Sequence, residues 1–277
     1  MKPRVMSLVL FTCMVGLIIA PNNVSYLNSV LSLIAVALGA GAAGTLNMWY
    51  ESDLDALMTR TCLRPIPTGQ VTKNQALFFG VLLSIGSISL LYFSSNLMSA
   101  SLLLLTICFY FFIYTVWLKR RTPQNIVIGG AAGALPPVIG WTIATGSLSI
   151  EPLILFLIIF LWTPSHFWAL SIYKSNDYKK AKIPMLPIIY GIDKTKKNIF
   201  IYSLLMLPTI SAPYLIGFLS EIFFYPASVL TIYYVYLCGT LLKIKKSKEI
   251  NTLARKIFLY SIFYLFLLFL LILSDHF

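Results

Sequence analysis

Apolar residues form nine long runs along the 277-residue chain, and short polar segments separate them. A helix needs about 20 apolar residues to cross a hydrocarbon core about 30 Å thick. In lipid the backbone must satisfy its own hydrogen bonds, and the alternating segments of a β-barrel are absent. The pattern therefore predicts nine transmembrane helices, at residues 3–20, 26–49, 76–93, 97–118, 126–144, 152–172, 199–219, 222–242 and 257–274.

The composition supports a membrane protein, because 58% of the residues are hydrophobic and only 11% are charged. Soluble domains carry about 25% charged residues. The first run resembles a signal peptide, but no small-residue cleavage site follows it at the right distance, so we expect a retained helix. No internal repeat or low-complexity linker interrupts the chain. The sequence therefore predicts an all-α, polytopic membrane protein with a single transmembrane domain over residues 1–277.

The basic residues are distributed on one side of the predicted membrane. The chain has 21 Lys and Arg residues and a net charge of +12, and these bases lie at the N-terminal tip and after the second, fourth, sixth and eighth runs. The positive-inside rule then predicts a cytosolic N-terminus, an external C-terminus and an active site facing the cytosol of a bacterial inner membrane. Basic clusters between apolar runs suit anionic headgroups and ligands, and we expect no nucleic-acid partner.

Acidic residues cluster in the first of two long connections on the basic side. If the second helix continues into this connection, Asn47, Glu51 and Asp55 recur every four residues and share one face, whereas Asp53 points elsewhere. Such carboxylates repel one another unless a cation lies between them. Hard oxygen ligands suit Mg²⁺, which also binds substrate phosphates. The alternative is a solvated, acidic helix end.

Basic residues follow these acids and recur after the fourth run. Arginine binds phosphate oxygens with a bidentate fork, and lysine acts as a point charge. A metal–diphosphate site requires both carboxylates for the metal and cations for the leaving group. The alternatives are that these residues only set the topology or attract lipid phosphates. The candidates for binding a diphosphate are Arg60, Arg64, Lys119 and Arg120.

The sixth run and the second long connection add two further candidates. His166 is the one histidine within a predicted span, and an ionisable group inside a membrane indicates function. The alternative is a hydrogen-bonded structural histidine. Asp177 lies at the start of the second long connection, on the same side as Asn47 and Asp55. In the fifth run, Gly129 and Gly133 predict a face for close helix packing.

Three segments resemble the protoheme IX farnesyltransferase family, within the UbiA superfamily of intramembrane prenyltransferases. They cover the motifs described above, and the resemblance extends over nearly the whole chain. It implies a UbiA-type helix bundle that transfers farnesyl from farnesyl diphosphate to a vinyl group of heme B, with addition of water, to give heme O. The segments are NMWYESDLDALMTRTCLRPIPTGQV, YTVWLKRRTPQNIVIGGAAGALPPVIGW and LWTPSHFWALSIYKSNDYKKAKIPMLPI.

The resemblance also implies roles for individual residues. The first aspartate-rich motif of the superfamily falls on Asn47, Glu51 and Asp55, and Asp177 matches the first acid of the second motif, where Ala181 occupies the next acidic place. These four matched residues are implied to be catalytic and to hold Mg²⁺, the expected cofactor. We further hypothesise that His166 contacts heme. Possible partners besides the substrates and the bilayer are heme A synthase or assembly factors of a terminal oxidase.

Three alternatives remain at this point. The chain could be another UbiA-type enzyme that acts on a quinone precursor or a chlorophyll-like acceptor. It could be a multi-pass transporter, although transporters place their ionisable residues near the membrane midplane, whereas the acids here lie at one surface. It could also be a non-catalytic heme chaperone or assembly subunit.

Overall fold

The computed structural model describes residues 3–22, 24–59 and 61–277, and within these ranges it contains helices and no β-strand. A π-helical segment, Phe109–Leu118, continues the fifth helix. The helices are α1 (Pro3–Ile18), α2 (Tyr26–Tyr50), α3 (Ser52–Leu57), α4 (Lys73–Ser94), α5 (Leu97–Cys108), α6 (Asn125–Ala134), α7 (Pro136–Thr145), α8 (Ile150–Tyr173), α9 (Ser175–Lys180), α10 (Leu186–Ile189), α11 (Gly191–Leu215), α12 (Glu221–Lys243) and α13 (Ser247–His276).

Eight helical segments of the described chain are long and apolar enough to cross a membrane. They comprise α2, α4, α5 with the π-helical segment, α6 with α7, α8, α11, α12 and α13. The first predicted span, residues 3–20, corresponds to α1, which ends at Ile18. The all-α, multi-pass architecture is confirmed, and the described chain has eight spans of sufficient length besides α1.

The span formed by α6 and α7 departs from a regular α-helix, and two of its glycines pack closely against neighbouring segments. Pro136 and Pro137 begin α7 directly after α6 ends, because proline has no N–H to donate. A Cβ added at Gly140 would lie 1.9 Å from the carbonyl oxygen of Cys13, so α1 and α7 pack with their backbones close together. The prediction that Gly133 packs closely against a neighbour is wrong, since nothing in the described chain lies within 4 Å of a Cβ added there. Gly129 does pack tightly, against the Tyr114 ring.

The two long connections lie together at one end of the bundle, which we call the basic end. An apolar cluster joins α3 to the segment around α9 and α10, and it includes Leu54, Met58, Tyr178, Ile183 and Met185. The connections at the opposite end are short. Burial of this cluster therefore holds the two loops that carry the candidate acids against each other.

Candidate active site

The junction of α2 and α3 places three polar side chains on one inward face. Helical backbone hydrogen bonds continue across it, from the Glu51 N–H to the Asn47 carbonyl (3.0 Å) and from the Asp55 N–H to the Glu51 carbonyl (2.8 Å). Asn47, Glu51 and Asp55 are all buried, with at most 4% of each residue exposed. The predicted helical alignment of these residues is therefore present. Asp53 lies off this face, with 55% of its side chain exposed.

Glu51 is the centre of a buried network that joins α2 to the π-helical segment. Its Oε2 accepts hydrogen bonds from Asn47 Nδ2 (2.9 Å) and from Lys119 Nζ (2.5 Å). Asn47 Nδ2 also donates to Thr115 Oγ1 at 3.0 Å. The Oε1 atom of Glu51 is buried without a hydrogen-bond partner in the described chain. Sequence reasoning missed Thr115, although its position four residues before Lys119 was a usable signal.

Asp55 forms an ion pair within the first long connection. Arg64 Nη1 donates to both of its carboxylate oxygens, at 2.8 and 2.7 Å, and Thr61 Oγ1 donates to its main-chain carbonyl at 2.9 Å. The carboxylate is buried, whereas 20% of the Arg64 side chain is exposed. The connection therefore folds back so that Arg64 faces the acid. Arg60, the neighbouring candidate, lies outside the described residues.

Arg120 binds the acid that was not assigned to the site. Its two terminal nitrogens donate to the Asp53 carboxylate at 3.0 and 2.8 Å, and its guanidinium lies 5.2 Å from the centre of the Tyr50 ring. Partial burial opposes ionisation of Asp53, but the hydrogen bond and charge of Arg120 outweigh it and lower the pKa of this carboxyl. The same hydrogen bond raises the pKa of Arg120. This pair ties α3 to the connection after the π-helical segment.

Asp177 contributes the second loop to the same end of the bundle. It lies in α9 and is 9% exposed, and its Oδ2 accepts a hydrogen bond of 2.9 Å from Thr59 Oγ1. This bond connects the two long connections directly, across 118 residues of sequence. Thr59 was missed by sequence reasoning, because no local pattern distinguishes it from the other threonines of the loop.

The four proposed metal ligands are not gathered around one point. Within the described ranges, no group of three or more Asp, Glu, His or Cys side chains could hold a metal ion. Lys119, Arg64 and Thr59 instead contact the three acids. The chemistry of the set nevertheless fits Mg²⁺, since every donor is a hard oxygen ligand. Glu51 Oε1 is a buried carboxylate oxygen without a hydrogen-bond partner in the described chain, so its lone pairs are available to a metal ion.

His166 lies apart from the acids, at the interface of α8 and α13. Its ring stacks on Trp162 and Phe258, with centroid distances of 4.3 and 4.7 Å, and 7% of the residue is exposed. It precedes the end of α8 at Tyr173 by seven residues, or about 10 Å of helix. These contacts are compatible with the structural alternative considered for this histidine.

The hydrogen bonds around His166 indicate which of its ring nitrogens carries the proton. Its Nδ1 lies 2.6 Å from Ser261 Oγ, and the same hydroxyl donates to the Phe258 carbonyl at 2.7 Å. A hydroxyl has a single proton, so both contacts are satisfied only when His166 donates from Nδ1. In a neutral imidazole this leaves the lone pair on Nε2.

Comparisons with known proteins agree with this architecture. The model of the family described as "UbiA prenyltransferase family" matches residues 9–270. The chain is 65% identical to a protoheme IX farnesyltransferase of Pelagibacter ubique over 99% of this chain and 91% of that protein. It is 50% identical to one of Ehrlichia ruminantium, covering 100% of this chain and 92% of the relative.

Solved structures share the fold at low sequence identity. A digeranylgeranylglyceryl phosphate synthase has a TM-score of 0.81 at 19% identity, covering 97% of this chain and 92% of that one. A UbiA homolog from Archaeoglobus fulgidus, bound to DMAPP and Mg²⁺, has a TM-score of 0.69 at 16% identity, covering 95% and 96% of the two chains. Because the family model and the full-length relatives agree, the chain belongs to the UbiA prenyltransferase family, among its protoheme IX farnesyltransferases.

Proposed function

We propose that this protein converts heme B to heme O. In this reaction the C1–O bond of farnesyl diphosphate breaks, and C1 forms a bond to a vinyl carbon of heme. Water supplies a hydroxyl group to the adjacent carbon, and diphosphate and a proton are released. The observation that carries the proposal is 65% identity over 99% of the chain to a protoheme IX farnesyltransferase. The buried acidic face beside a set of bases supports it.

The acidic face is proposed as the metal–diphosphate site, with Asn47, Glu51, Asp55 and Asp177 as ligands. Bound Mg²⁺ would neutralise the diphosphate and so make it a better leaving group. Glu51 Oε1 needs no existing hydrogen bond to break before it can act as a ligand. The protein related in fold, with DMAPP and Mg²⁺ bound, supports the choice of metal.

The bases hold these acids and are proposed to face the leaving group. Lys119 and Arg64 each contact a buried carboxylate and retain about one fifth of their side-chain exposure. They are therefore positioned to share their positive charge with a diphosphate placed over the acids. Such pre-positioned charge stabilises the developing negative charge without reorganisation. Arg120, which contacts Asp53, and Arg60, which lies outside the described residues, are proposed as further ligands of the diphosphate.

His166 is proposed as the heme contact. Two aromatic rings stack on its imidazole, so a ligand would approach the edge that carries Nε2. The Nδ1–H bond to Ser261 supports this proposal, because metal-binding histidines commonly donate their other nitrogen to a fixed acceptor.

The membrane and the orientation of the enzyme are proposed as well. In the sequence, the 21 Lys and Arg residues fall in segments on one side of the predicted spans, which supports a bacterial inner membrane with the N-terminus and the active site on the cytosolic side and the C-terminus outside. Residues 1–277 are proposed to form one transmembrane prenyltransferase domain. Because heme O is strongly hydrophobic, we propose that it leaves through the bilayer toward heme A synthase or assembly factors of a terminal oxidase.

The test is reconstitution of the full chain in lipid nanodiscs with heme B, farnesyl diphosphate and Mg²⁺, followed by mass spectrometry of the extracted hemes. We expect heme O, and no product after chelation of the metal. Glu249→Gln is the control variant, because Glu249 is an exposed acid that pairs with the exposed Lys246 outside the site. Farnesylation of a quinone precursor in place of heme would contradict the assignment of the acceptor. Turnover unaffected by chelation would contradict the metal site.

A further inference from the structure

Helix α8 lacks one backbone hydrogen bond close to His166. Pro164 lies inside α8, two residues before His166, and it has no N–H to donate to the Phe160 carbonyl. A helix can bend at such a point, so its own hydrogen bonds do not fully fix the direction of the side chains that follow. Contacts with neighbouring helices are therefore needed to set the orientation of His166.

Three hydrogen bonds connect this part of α8 to α12 and α13. Before the proline, Trp162 Nε1 donates to the Ser261 carbonyl of α13 at 2.9 Å. After the proline, His166 Nδ1 bonds Ser261 Oγ, and Ser165 Oγ lies 2.7 Å from the Tyr234 hydroxyl of α12. Ser165 and Tyr234 are both fully buried. Of these three bonds, the one to Tyr234 lies after the proline without involving His166 itself.

The direction of the bond between Ser165 and Tyr234 follows from counting protons. Ser165 Oγ also donates to the Trp162 carbonyl at 3.0 Å, which uses its single proton. Both contacts are therefore satisfied when the Tyr234 hydroxyl donates and Ser165 accepts. Ser165 and His166 are consecutive and lie about 100° apart around the helix, so fixing Ser165 also fixes the direction in which His166 leaves α8.

We propose that Tyr234 is a positioning residue for His166, which it orients through Ser165. This inference rests on the proposed function, in which His166 contacts heme. A pair of apolar side chains would fill the same space without two hydroxyls that need partners. A satisfied hydrogen bond instead selects one orientation of the packed helices. Tyr234 therefore acts by giving the His166 ring a fixed direction toward heme.

Tyr264 offers a matched control at the interface of α12 and α13. It is also fully buried, and its hydroxyl lies 2.9 Å from Thr231 Oγ1. Thr231 donates its proton to the Ala227 carbonyl at 2.7 Å, so Tyr264 is the donor to Thr231. Loss of either tyrosine hydroxyl thus removes one hydrogen bond between buried hydroxyls. Of the two tyrosines, Tyr234 alone is bonded to the residue next to His166.

The test is optical titration of the full chain in lipid nanodiscs with heme B, for wild type, Tyr234→Phe and Tyr264→Phe. We expect Tyr234→Phe to weaken heme binding about fivefold, the value of one hydrogen bond, and to raise the KM for heme B but not that for farnesyl diphosphate. Tyr264→Phe should lower the Tm to a similar extent while the heme spectrum and both KM values stay at those of wild type. Equal heme affinity in wild type and Tyr234→Phe, or equal loss in both variants, would overturn the proposal.

Two further variants distinguish failure of this inference from failure of the proposed function. If His166→Phe binds heme B with the affinity and spectrum of wild type, the heme contact is wrong and the inference is overturned with it. If His166→Phe changes the spectrum and Tyr234→Phe has no effect, the inference alone is wrong. Ser165→Ala should reproduce the loss seen in Tyr234→Phe, and combining the two should weaken heme binding no further. Additive losses would overturn the role of Ser165 as the connection.

Discussion

The acidic face at the basic end and the His166 region inside the bundle are built from opposite kinds of interaction. At the acidic face, full charges from different segments meet, as in the contact of Glu51 with Lys119 and of Asp55 with Arg64. Around His166 the contacts are aromatic faces and one hydroxyl. A diphosphate requires the first environment, and a flat porphyrin suits the second. The difference therefore matches a reaction that joins an ionic substrate to an aromatic one.

The largest effect is expected from Asp55→Asn, which removes a charge from the acidic face alone. Loss of one such ionic contact typically lowers kcat about 10²- to 10³-fold, because the transition state carries the developing charge. The rate of heme O formation is the measurement, and the heme spectrum should stay unchanged. Turnover equal to that of the Glu249→Gln control would show that Asp55 does not act on the diphosphate.

Lys119→Met tests whether the charge pair stabilises the protein as well as the reaction. Glu51 is 1% exposed, so loss of its cation leaves a buried, uncompensated charge, at a cost of about 3 kcal/mol of unfolding free energy. The double variant Lys119→Met with Glu51→Gln should regain thermal stability without regaining activity. Recovery of both properties by the double variant would mean that the pair is only structural.

His166→Phe tests the His166 region independently of the acidic face. Phenylalanine keeps a ring that can stack on Trp162 and Phe258 but removes both nitrogens, so we expect loss of any histidine-ligated heme spectrum while farnesyl diphosphate binding stays normal. Ser261→Ala should weaken heme binding about tenfold, the usual effect of removing a hydrogen bond that orients a metal ligand. An unchanged heme spectrum in His166→Phe would leave this histidine as a packing residue.

The smallest effect is expected from Asp53→Asn, at the exposed edge of the charged region. More than one third of each partner in the Asp53–Arg120 pair is exposed, so the pair stabilises the fold by less than about 1 kcal/mol. Because the pKa of Asp53 is lowered in the folded protein, this contribution is present above the ordinary pKa of aspartate and is lost as the pH falls through the lowered value. Thermal unfolding of wild type and variant should converge on the acid side. A difference in thermal stability that grows at acid pH would contradict the lowered pKa of Asp53.

Much of the fold followed from the sequence, because the bilayer imposes long apolar helices and an asymmetric distribution of charge. The alignment of Asn47, Glu51 and Asp55 also followed, since helical periodicity sets it locally. The contacts of Thr115, Thr59 and Ser261 did not, because each depends on packing against a residue 68, 118 or 95 positions away.

One sequence expectation differs from the structure, and one contact was not predicted, for the same physical reason. Gly133 was expected to pack closely, but which glycine of a helix meets a neighbour depends on how the helix is rotated in the bundle. Arg120 was predicted to bind the diphosphate, which stays a prediction, and its contact with Asp53, an acid outside the inward face, was not predicted. Local spacing identifies which residues share a face, whereas tertiary packing decides what that face contacts.

The central claim is that acids from both long connections, which this structure does not gather around one point, bind the same metal ion when the diphosphate is present. The most direct test is electron paramagnetic resonance of Mn²⁺ bound to the full chain in the presence of farnesyl diphosphate. The account predicts that Glu51→Gln, Asp55→Asn and Asp177→Asn each weaken Mn²⁺ binding about tenfold or more, whereas Glu249→Gln leaves it unchanged. Binding of Mn²⁺ to Asp177→Asn as tight as to wild type would contradict the claim.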